Sequence, residues 1–243
     1  MSSMQLRTLG AQLSFLPDVF GVAECGVIAA AIEQGSAHNA LSGAFDGTYG
    51  FQRVFRKDGL PELLAEYPWL AGFITAAVGD ARCDAFYLNG LIIAGGREVK
   101  RHLDCSLNGW LGYTRTPEEV TVLYVRVPDD LHGGELQLFD DRGRVAEISP
   151  RTGAVLRFAG ELTHRVAPVR SSTARISVVL EQYAVGEDAR ARIPRYAGDA
   201  DGHPTRPPAA PQLATKLARF AQALSAEERE VLEALVRGRS SAS

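Results

Sequence analysis

His102-Leu-Asp104 sets an imidazole and a carboxylate two residues apart. On an extended strand residues i and i+2 project from one face, so both side chains can reach a single metal ion at about 2 Å. A third donor is needed to complete one face of an octahedron, and His164, which opens another apolar run, is the best placed. Two neutral imidazoles and one carboxylate, with other positions open, are the donor set suited to a non-haem Fe(II) centre that handles oxygen. Taken alone, His-x-Asp is equally explained as a structural ion pair. Arg175 and Ser177 change that weighing, because they share one face of a predicted strand. A guanidinium fork beside a hydroxyl is a receptor for a dicarboxylate.

Other polar residues have ordinary readings beside functional ones. Gly133, Gly134 and Glu135 fit a hairpin or bulge as well as a close approach to a site. Asp140 and Asp141 read as a solvated turn, His132 as a reserve ligand, and His38 and His203 as surface loop residues. Asn108, Trp110, Tyr113 and Arg115 follow the His-x-Asp pair; here substrate contact competes with packing over the rim of the fold. Cys105 should face away from the metal by strand parity, and Phe86 and Tyr87 read as sheet core.

These residues need rigid elements to converge. From Asp84 onward, short runs rich in Val, Ile, Leu, Tyr and Phe alternate with Gly, Pro, Asn and Asp, which predicts strands near 86–93, 99–104, 120–127, 135–139, 145–148, 154–158, 164–169 and 175–183. Eight short strands with turns between them suggest a jelly roll or double-stranded β-helix, mainly β with flanking helices. Ahead of them, Val27, Ile28, Ala31 and Ile32 recur at helical spacing in 23–34, and Gly35 closes that helix. The stretch 37–50 is rich in Gly, Ser, Asn and Asp and reads as loop. A second helical region covers 61–78, with Pro68 able to start a new helix and Trp69, Leu70, Phe73, Ile74 and Ala77 on one stripe. These N-terminal helices are expected to pack on one sheet. The oxygen-handling domain is therefore assigned to 1–197. Pro204, Pro207, Pro208 and Pro211 mark 198–211 as an extended linker. Leu213, Leu217, Phe220, Leu224, Val231, Leu232 and Leu235 give 212–243 two short helices, a candidate surface for a homodimer or another partner.

Composition bounds the functional classes. The 243 residues, 46% hydrophobic, suffice for one packed domain with short extensions, and a formal charge of −3 gives no broad basic field for duplex nucleic acid. Cys25, Cys83 and Cys105 are odd in number and include no Cys-x-x-Cys pair, against a disulfide framework or thiolate zinc site. The start Met-Ser-Ser-Met lacks an apolar signal region, and no stretch approaches the roughly 20 apolar residues needed to span a bilayer. The expectation is a cytoplasmic protein without a membrane segment.

His102-Leu-Asp104, Gly133-Gly-Glu-Leu136, Pro150-Arg-Thr-Gly-Ala-Val-Leu-Arg-Phe158, His164-Arg-Val-Ala-Pro-Val169 and Arg175-Ile-Ser177 occur in that order, and together resemble the 2-oxoglutarate/Fe(II) dioxygenases of prolyl-4-hydroxylase type. The resemblance runs from about Phe86 to Tyr183. It implies a double-stranded β-helix, Fe(II) held by His102, Asp104 and His164, and 2-oxoglutarate and O2 as co-substrates. The distal carboxylate of 2-oxoglutarate would pair with Arg175, beside Ser177, and Tyr124 matches a tyrosine that often contacts the co-substrate. The implied reaction is hydroxylation of a C–H bond in an amino acid, peptide or small biosynthetic intermediate, releasing succinate and CO2. Three positions refine it. Ile92-Ile-Ala-Gly-Gly96 stands where many relatives carry a tyrosine-containing turn, Glu181 replaces the second arginine of the nucleobase-repair branch, and Asp104 is retained where halogenating relatives have a small residue. Protein prolyl hydroxylation is the neighbouring alternative; a cupin-like metal or sugar-binding module without oxidation is the alternative of another class.

Overall fold

The computed structural model describes residues 13–35, 39–41, 45–78 and 82–198. In chain order they form β1 (Leu13–Leu16), α1 (Val22–Gln34), β2 (Asn39–Ala40), β3 (Tyr49–Arg56), α2 (Leu60–Glu66), α3 (Ala71–Ala77), β4 (Ala85–Ile93), β5 (Val99–His102) and α4 (Asn108–Leu111). There follow β6 (Glu119–Arg126), β7 (His132–Gly133), β8 (Leu136–Asp140), β9 (Gly143–Ile148), β10 (Val155–Ala159), β11 (Thr163–Val166), β12 (Val169–Arg170), β13 (Arg175–Tyr183), α5 (Glu187–Arg190) and β14 (Tyr196–Ala197). Linker 198–211 beyond Gly198, the helices expected in 212–243, and His38 and His203 lie outside the described residues. No helix among the described residues is long and apolar enough to cross a membrane.

The strands pair antiparallel into a large sheet, ordered β1-β10-β6-β13-β4-β3-β14 with β2 on β3, and a smaller one, ordered β5-β11-β8-β9. Strand parity makes three layers of them. On β4 and β13, Phe86, Leu88, Ile176, Val178 and Leu180 join one buried cluster with Ile28, Ile32, Leu63, Leu70 and Phe73 of the helical segments. The opposite face carries Leu91 and Ile93 into a second cluster with Val99, Leu136, Leu138 and Val166 of the smaller sheet. With both faces of the large sheet covered, its central strands read as nearly unbroken apolar runs. The fold is the expected jelly roll with N-terminal helices on one sheet.

Several local expectations are corrected. The buried stripe of α1 is Cys25, Ile28, Ala29 and Ile32, an i, i+3, i+4, i+7 set, whereas Val27 is 62% exposed. The expected strand 164–169 divides into β11 and β12 at Ala167-Pro168, where proline has no N–H for a ladder. Asp104 falls two residues past the end of β5, so it reaches the site from the irregular segment after the strand rather than by strict alternation with His102. The segment after it is partly helical: α4 ends at Gly112, whose φ of 75° is left-handed and suits glycine. Strand β3 and the short β1, β2 and β14 were not anticipated, nor was α5. In β3 the charged Arg53 is only 7% exposed because its guanidinium pairs with Glu66 of α2 at 2.6 Å and lies over the Tyr67 ring. Gly50 is required there: a Cβ would meet the Gly90 carbonyl oxygen of β4 at 1.9 Å.

Candidate active site

His102 closes β5 and faces His164 of β11 directly across the ladder, with ring centroids 4.3 Å apart. Each ring is fixed from behind. Nδ1 of His102 lies 2.8 Å from the Lys100 carbonyl oxygen, and Nδ1 of His164 lies 3.3 Å from that of Leu162. A carbonyl only accepts, so both Nδ1 atoms carry the proton and both Nε2 lone pairs are free for a metal. Phe45 packs edge-on against His102 at 4.7 Å, and Phe158 does so against His164 at 5.1 Å. Asp104, 5% exposed, completes the group: Oδ1 is 3.3 Å from His102 Nε2 and Oδ2 is 3.5 Å from His164 Nε2. Yet His102 Nε2 and Asp104 Oδ2 have no hydrogen-bond partner. The three groups point at a common place rather than at one another. Adjacent octahedral donors about 2.1 Å from a metal are separated by about 3 Å, so these residues fit an octahedral metal with other positions left open. No other group of three or more His, Cys, Asp or Glu among the described residues is arranged to hold a metal.

Burial acts on all three protonation equilibria. It raises Asp104, but the two imidazoles outweigh it and hold the carboxyl below its ordinary value. Burial lowers His102, but Asp104 and the Lys100 carbonyl outweigh it, and the net shift is upward. In His164 burial and the neighbouring His102 prevail over Asp104, and the net shift is downward. A deprotonated carboxylate beside a neutral imidazole is the state a divalent metal requires.

The same cavity between the sheets reaches Arg175 and Ser177 on β13. Arg175 is 2% exposed, and its Nε and Nη1 have no hydrogen-bond partner. Its Cζ lies 5.0 Å from the centroid of the Tyr124 ring, so the ring supports the cation from behind. Burial lowers the Arg175 pKa despite Tyr124. Among the described residues no carboxylate pairs with Arg175, and a buried guanidinium of that kind is an anion receptor. Tyr124 is wholly buried, is the register partner of Ser177, and does not itself line the cavity.

Four further polar residues line this cavity, Gln52, Asn89, Ser106 and Glu181, none of them selected as site residues from the sequence. Asn89 is 4% exposed, and its Oδ1 is unpartnered. Glu181, 3% exposed, accepts a hydrogen bond from Ser106 Oγ at 2.7 Å, a longer one from the Ser106 N–H at 3.4 Å and one from the Tyr183 hydroxyl. Burial and the charge of Asp104 push its carboxyl well above the ordinary carboxylate range, against those hydrogen bonds. A sequence signal existed: Glu181 shares the face of Arg175 and Ser177 on β13 by simple alternation. Tyr87, expected as sheet core, and Phe45 also line the cavity.

Asn108, Trp110, Tyr113 and Arg115 do not line it. Asn108 Oδ1 accepts from the Arg115 N–H at 3.0 Å, and the Arg115 side chain pairs with Glu118 at 2.6 Å and the Ala184 carbonyl at 2.9 Å. Trp110 packs beside Leu107, Leu111, Tyr183 and Ile193. Tyr113 is 48% exposed. The segment closes on itself and braces the strand behind Tyr183. His132 is exposed on β7, away from the cavity, and the positive φ of Gly133 and Gly134 belongs to the β7 turn. Asp140 caps its turn by accepting from the Arg142 and Gly143 N–H groups.

Residues 88–180 match the family model of the 2OG-Fe(II) oxygenase superfamily. Similar solved structures include a prolyl-4-hydroxylase from Pseudomonas putida, at 18% identity over 74% of this chain and 97% of that one, with a TM-score of 0.51. An oxidoreductase of the 2OG-Fe(II) oxygenase family from Burkholderia pseudomallei is similar at 17% identity over 74% and 88%, with a TM-score of 0.51. A prolyl hydroxylase from Trichoplax adhaerens, in complex with a hypoxia inducible factor oxygen degradation domain peptide fragment, is similar at 16% identity over 77% and 90%, with a TM-score of 0.52. At these identities the likeness is one of fold. No curated protein matches the chain.

Proposed function

We propose, for an enzyme that belongs to the 2OG-Fe(II) oxygenase superfamily, that His102, Asp104 and His164 hold Fe(II), Arg175 takes the distal carboxylate of 2-oxoglutarate, and the reaction hydroxylates a C–H bond of an amino acid, peptide or small biosynthetic intermediate. The observation that carries this reading is the pairing within one cavity of a pinned two-histidine, one-carboxylate group with a buried guanidinium that has no carboxylate partner among the described residues. When bound, iron and 2-oxoglutarate supply the oxidant: one atom of O2 enters succinate as CO2 leaves, and the other enters the substrate C–H bond.

The residues of this chain supply geometry. Lys100 and Leu162 carbonyls fix the imidazole tautomers, and Phe45 and Phe158 hold the ring planes. Arg175 gives the co-substrate a direction, with its charge undiluted by solvent. Ser177 offers a hydroxyl on the same face, and Tyr124 acts indirectly by backing the guanidinium. Apolar walls from Leu91, Val122, Leu136 and Val166 exclude water from the reacting carbon.

Hydroxylation of a peptide or protein, at proline for instance, is a second reading; the peptide complex of the Trichoplax relative favours it. Residues 1–197 would then be the catalytic unit, 198–211 a linker, and 212–243 a surface for a partner or a second copy. A binding module of cupin type has no use for the Arg175 receptor. The test is succinate formation from 2-oxoglutarate in aerobic, Fe(II)-loaded protein, screened against free amino acids and short peptides. Substrate-dependent succinate is expected. Its absence in folded, metal-loaded protein that also fails to bind 2-oxoglutarate would leave the binding-module reading.

A further inference from the structure

Arg175 and Glu181 lie six residues apart on one face of β13, about 20 Å along the strand, and both line the cavity of the metal group. The cavity is therefore polarised, with a cation at one end and an acid at the other. On the reading above, Fe(II), Asp104, Arg175 and the two carboxylates of 2-oxoglutarate balance in formal charge, so an ionised Glu181 has no cation to match it. Burial and Asp104 by themselves favour its protonated form, and a bound cation is what would hold it ionised. Among the described residues no Lys or Arg pairs with it. Its hydrogen bonds all come from neutral donors: Ser106 Oγ to Oε1, and the Ser106 N–H and the Tyr183 hydroxyl to Oε2. Buried carboxylates are ordinarily matched by a cation. Asn89 stands on the neighbouring strand, two residues along from Tyr87, the partner of Glu181, at a diagonal position on the same face within reach of a shared ligand. Its buried Oδ1 also seeks a donor.

We propose that Glu181 and Asn89 form the substrate-recognition subsite, and that it takes a primary ammonium group, with Glu181 Oε1 and Asn89 Oδ1 accepting its N–H bonds. This deepens the oxygenase reading and rests on it. The donor count selects the ligand. Once ionised, Glu181 offers about four lone pairs, three engaged by Ser106 and Tyr183, and the one that remains is on Oε1. A guanidinium needs both oxygens of one carboxylate edge for a bidentate fork, and no such edge is free. An ammonium needs only one acceptor from each of two residues. A neutral hydroxyl supplies no charge to draw the carboxyl into its ionised form.

An α-ammonium and a side-chain ammonium share this chemistry, so the test separates the two sources. Fe(II)- and 2-oxoglutarate-loaded protein is given L-lysine, Nε-acetyl-lysine (α-ammonium only), Nα-acetyl-lysine amide (side-chain ammonium only) and the doubly acetylated amide, with L-leucine and N-acetyl-leucine alongside. Binding is read by calorimetry without oxygen and turnover by succinate release. At least one ammonium form should bind and stimulate, and acetylating that nitrogen should lower kcat/KM by about 10- to 100-fold. Glu181→Gln, which can keep the Ser106 and Tyr183 contacts, should remove that discrimination, and Asn89→Leu should reduce it, each with 2-oxoglutarate affinity within about twofold of wild type. Equal response to ammonium and acetylated forms, discrimination that survives in Glu181→Gln, or binding by none of the ammonium forms would overturn the subsite. Failure of wild-type protein to bind 2-oxoglutarate would instead overturn the oxygenase reading beneath it.

Discussion

Replacing Arg175 by methionine should make the protein more stable in the absence of 2-oxoglutarate and nearly indifferent to its addition. Arg175 is 2% exposed with Nε and Nη1 unpartnered. A buried, unmatched cation gives up several kcal/mol of hydration, and stacking on Tyr124 at 5.0 Å returns at most about 2 kcal/mol of it. Methionine fills much of the same space without the charge, for a net gain of about 2 kcal/mol. In a chain of this size that is about 4–8 °C in Tm. With 2-oxoglutarate present the order reverses. At a thousand times its Kd the ligand stabilises wild type by about 4 kcal/mol. The variant lacks a charge-assisted, bidentate pairing of about 3–4 kcal/mol, so its affinity falls by a factor of about 10² to 10³. At the same concentration it gains about 1 kcal/mol or less. Calorimetric melting of anaerobic, Fe(II)-loaded protein with and without 2-oxoglutarate should show the two curves exchanging order. A variant that melts below wild type without ligand, or gains as much from ligand as wild type does, would refute the reasoning.

The metal-free protein should lose stability as pH rises from about 4.3, where Glu181 of the unfolded chain gives up its proton while burial and Asp104 keep the folded carboxyl protonated. The slope from this group is up to about 1.4 kcal/mol per pH unit until the folded carboxyl ionises; denaturant titrations across pH should find it in wild type and not in Glu181→Gln, and parallel profiles would remove Glu181 as the cause. Gly50→Ala should destabilise the β3–β4 pairing by about 1–3 kcal/mol, since its Cβ would stand 1.9 Å from the Gly90 carbonyl oxygen; an unchanged denaturation midpoint would mean the two backbones are not so close.

Strands β4, β6, β8, β10 and β13 are legible in the sequence because they are runs rich in β-branched, aromatic and other apolar residues bounded by turn-forming residues, and because the central ones are buried on both faces; the two-residue β7 and β12 are not. Strand β3 is not, since Gln52, Arg53 and Arg56 interrupt its pattern, and the partner that lets Arg53 be buried, Glu66, belongs to another element. Strands of two to four residues such as β1 and β14 exist only through their neighbours β10 and β3. In α1 two phases of apolar spacing compete, and only tertiary packing selects Cys25 and Ala29 over Val27. The donor trio and Arg175 could be picked out by residue type and spacing. Glu181 and Asn89 look like interruptions of apolar strands until the face they share with Arg175 is known to border a cavity. Trp110 and Arg115 misled in the opposite direction, because conspicuous side chains beside a metal motif can be spent on packing and turn closure.

The most direct test of the account is spectroscopic. Fe(II) added without oxygen, followed by 2-oxoglutarate, should produce the weak visible charge-transfer band of a 2-oxo acid chelated to iron. The band should be abolished in His102→Ala, which removes one imidazole whose tautomer the Lys100 carbonyl fixes. In Arg175→Met it should appear only at much higher 2-oxoglutarate concentration. A band of equal strength in His102→Ala, or none in folded, iron-loaded wild type, would contradict the assignment of His102, Asp104 and His164 as the site of the reaction.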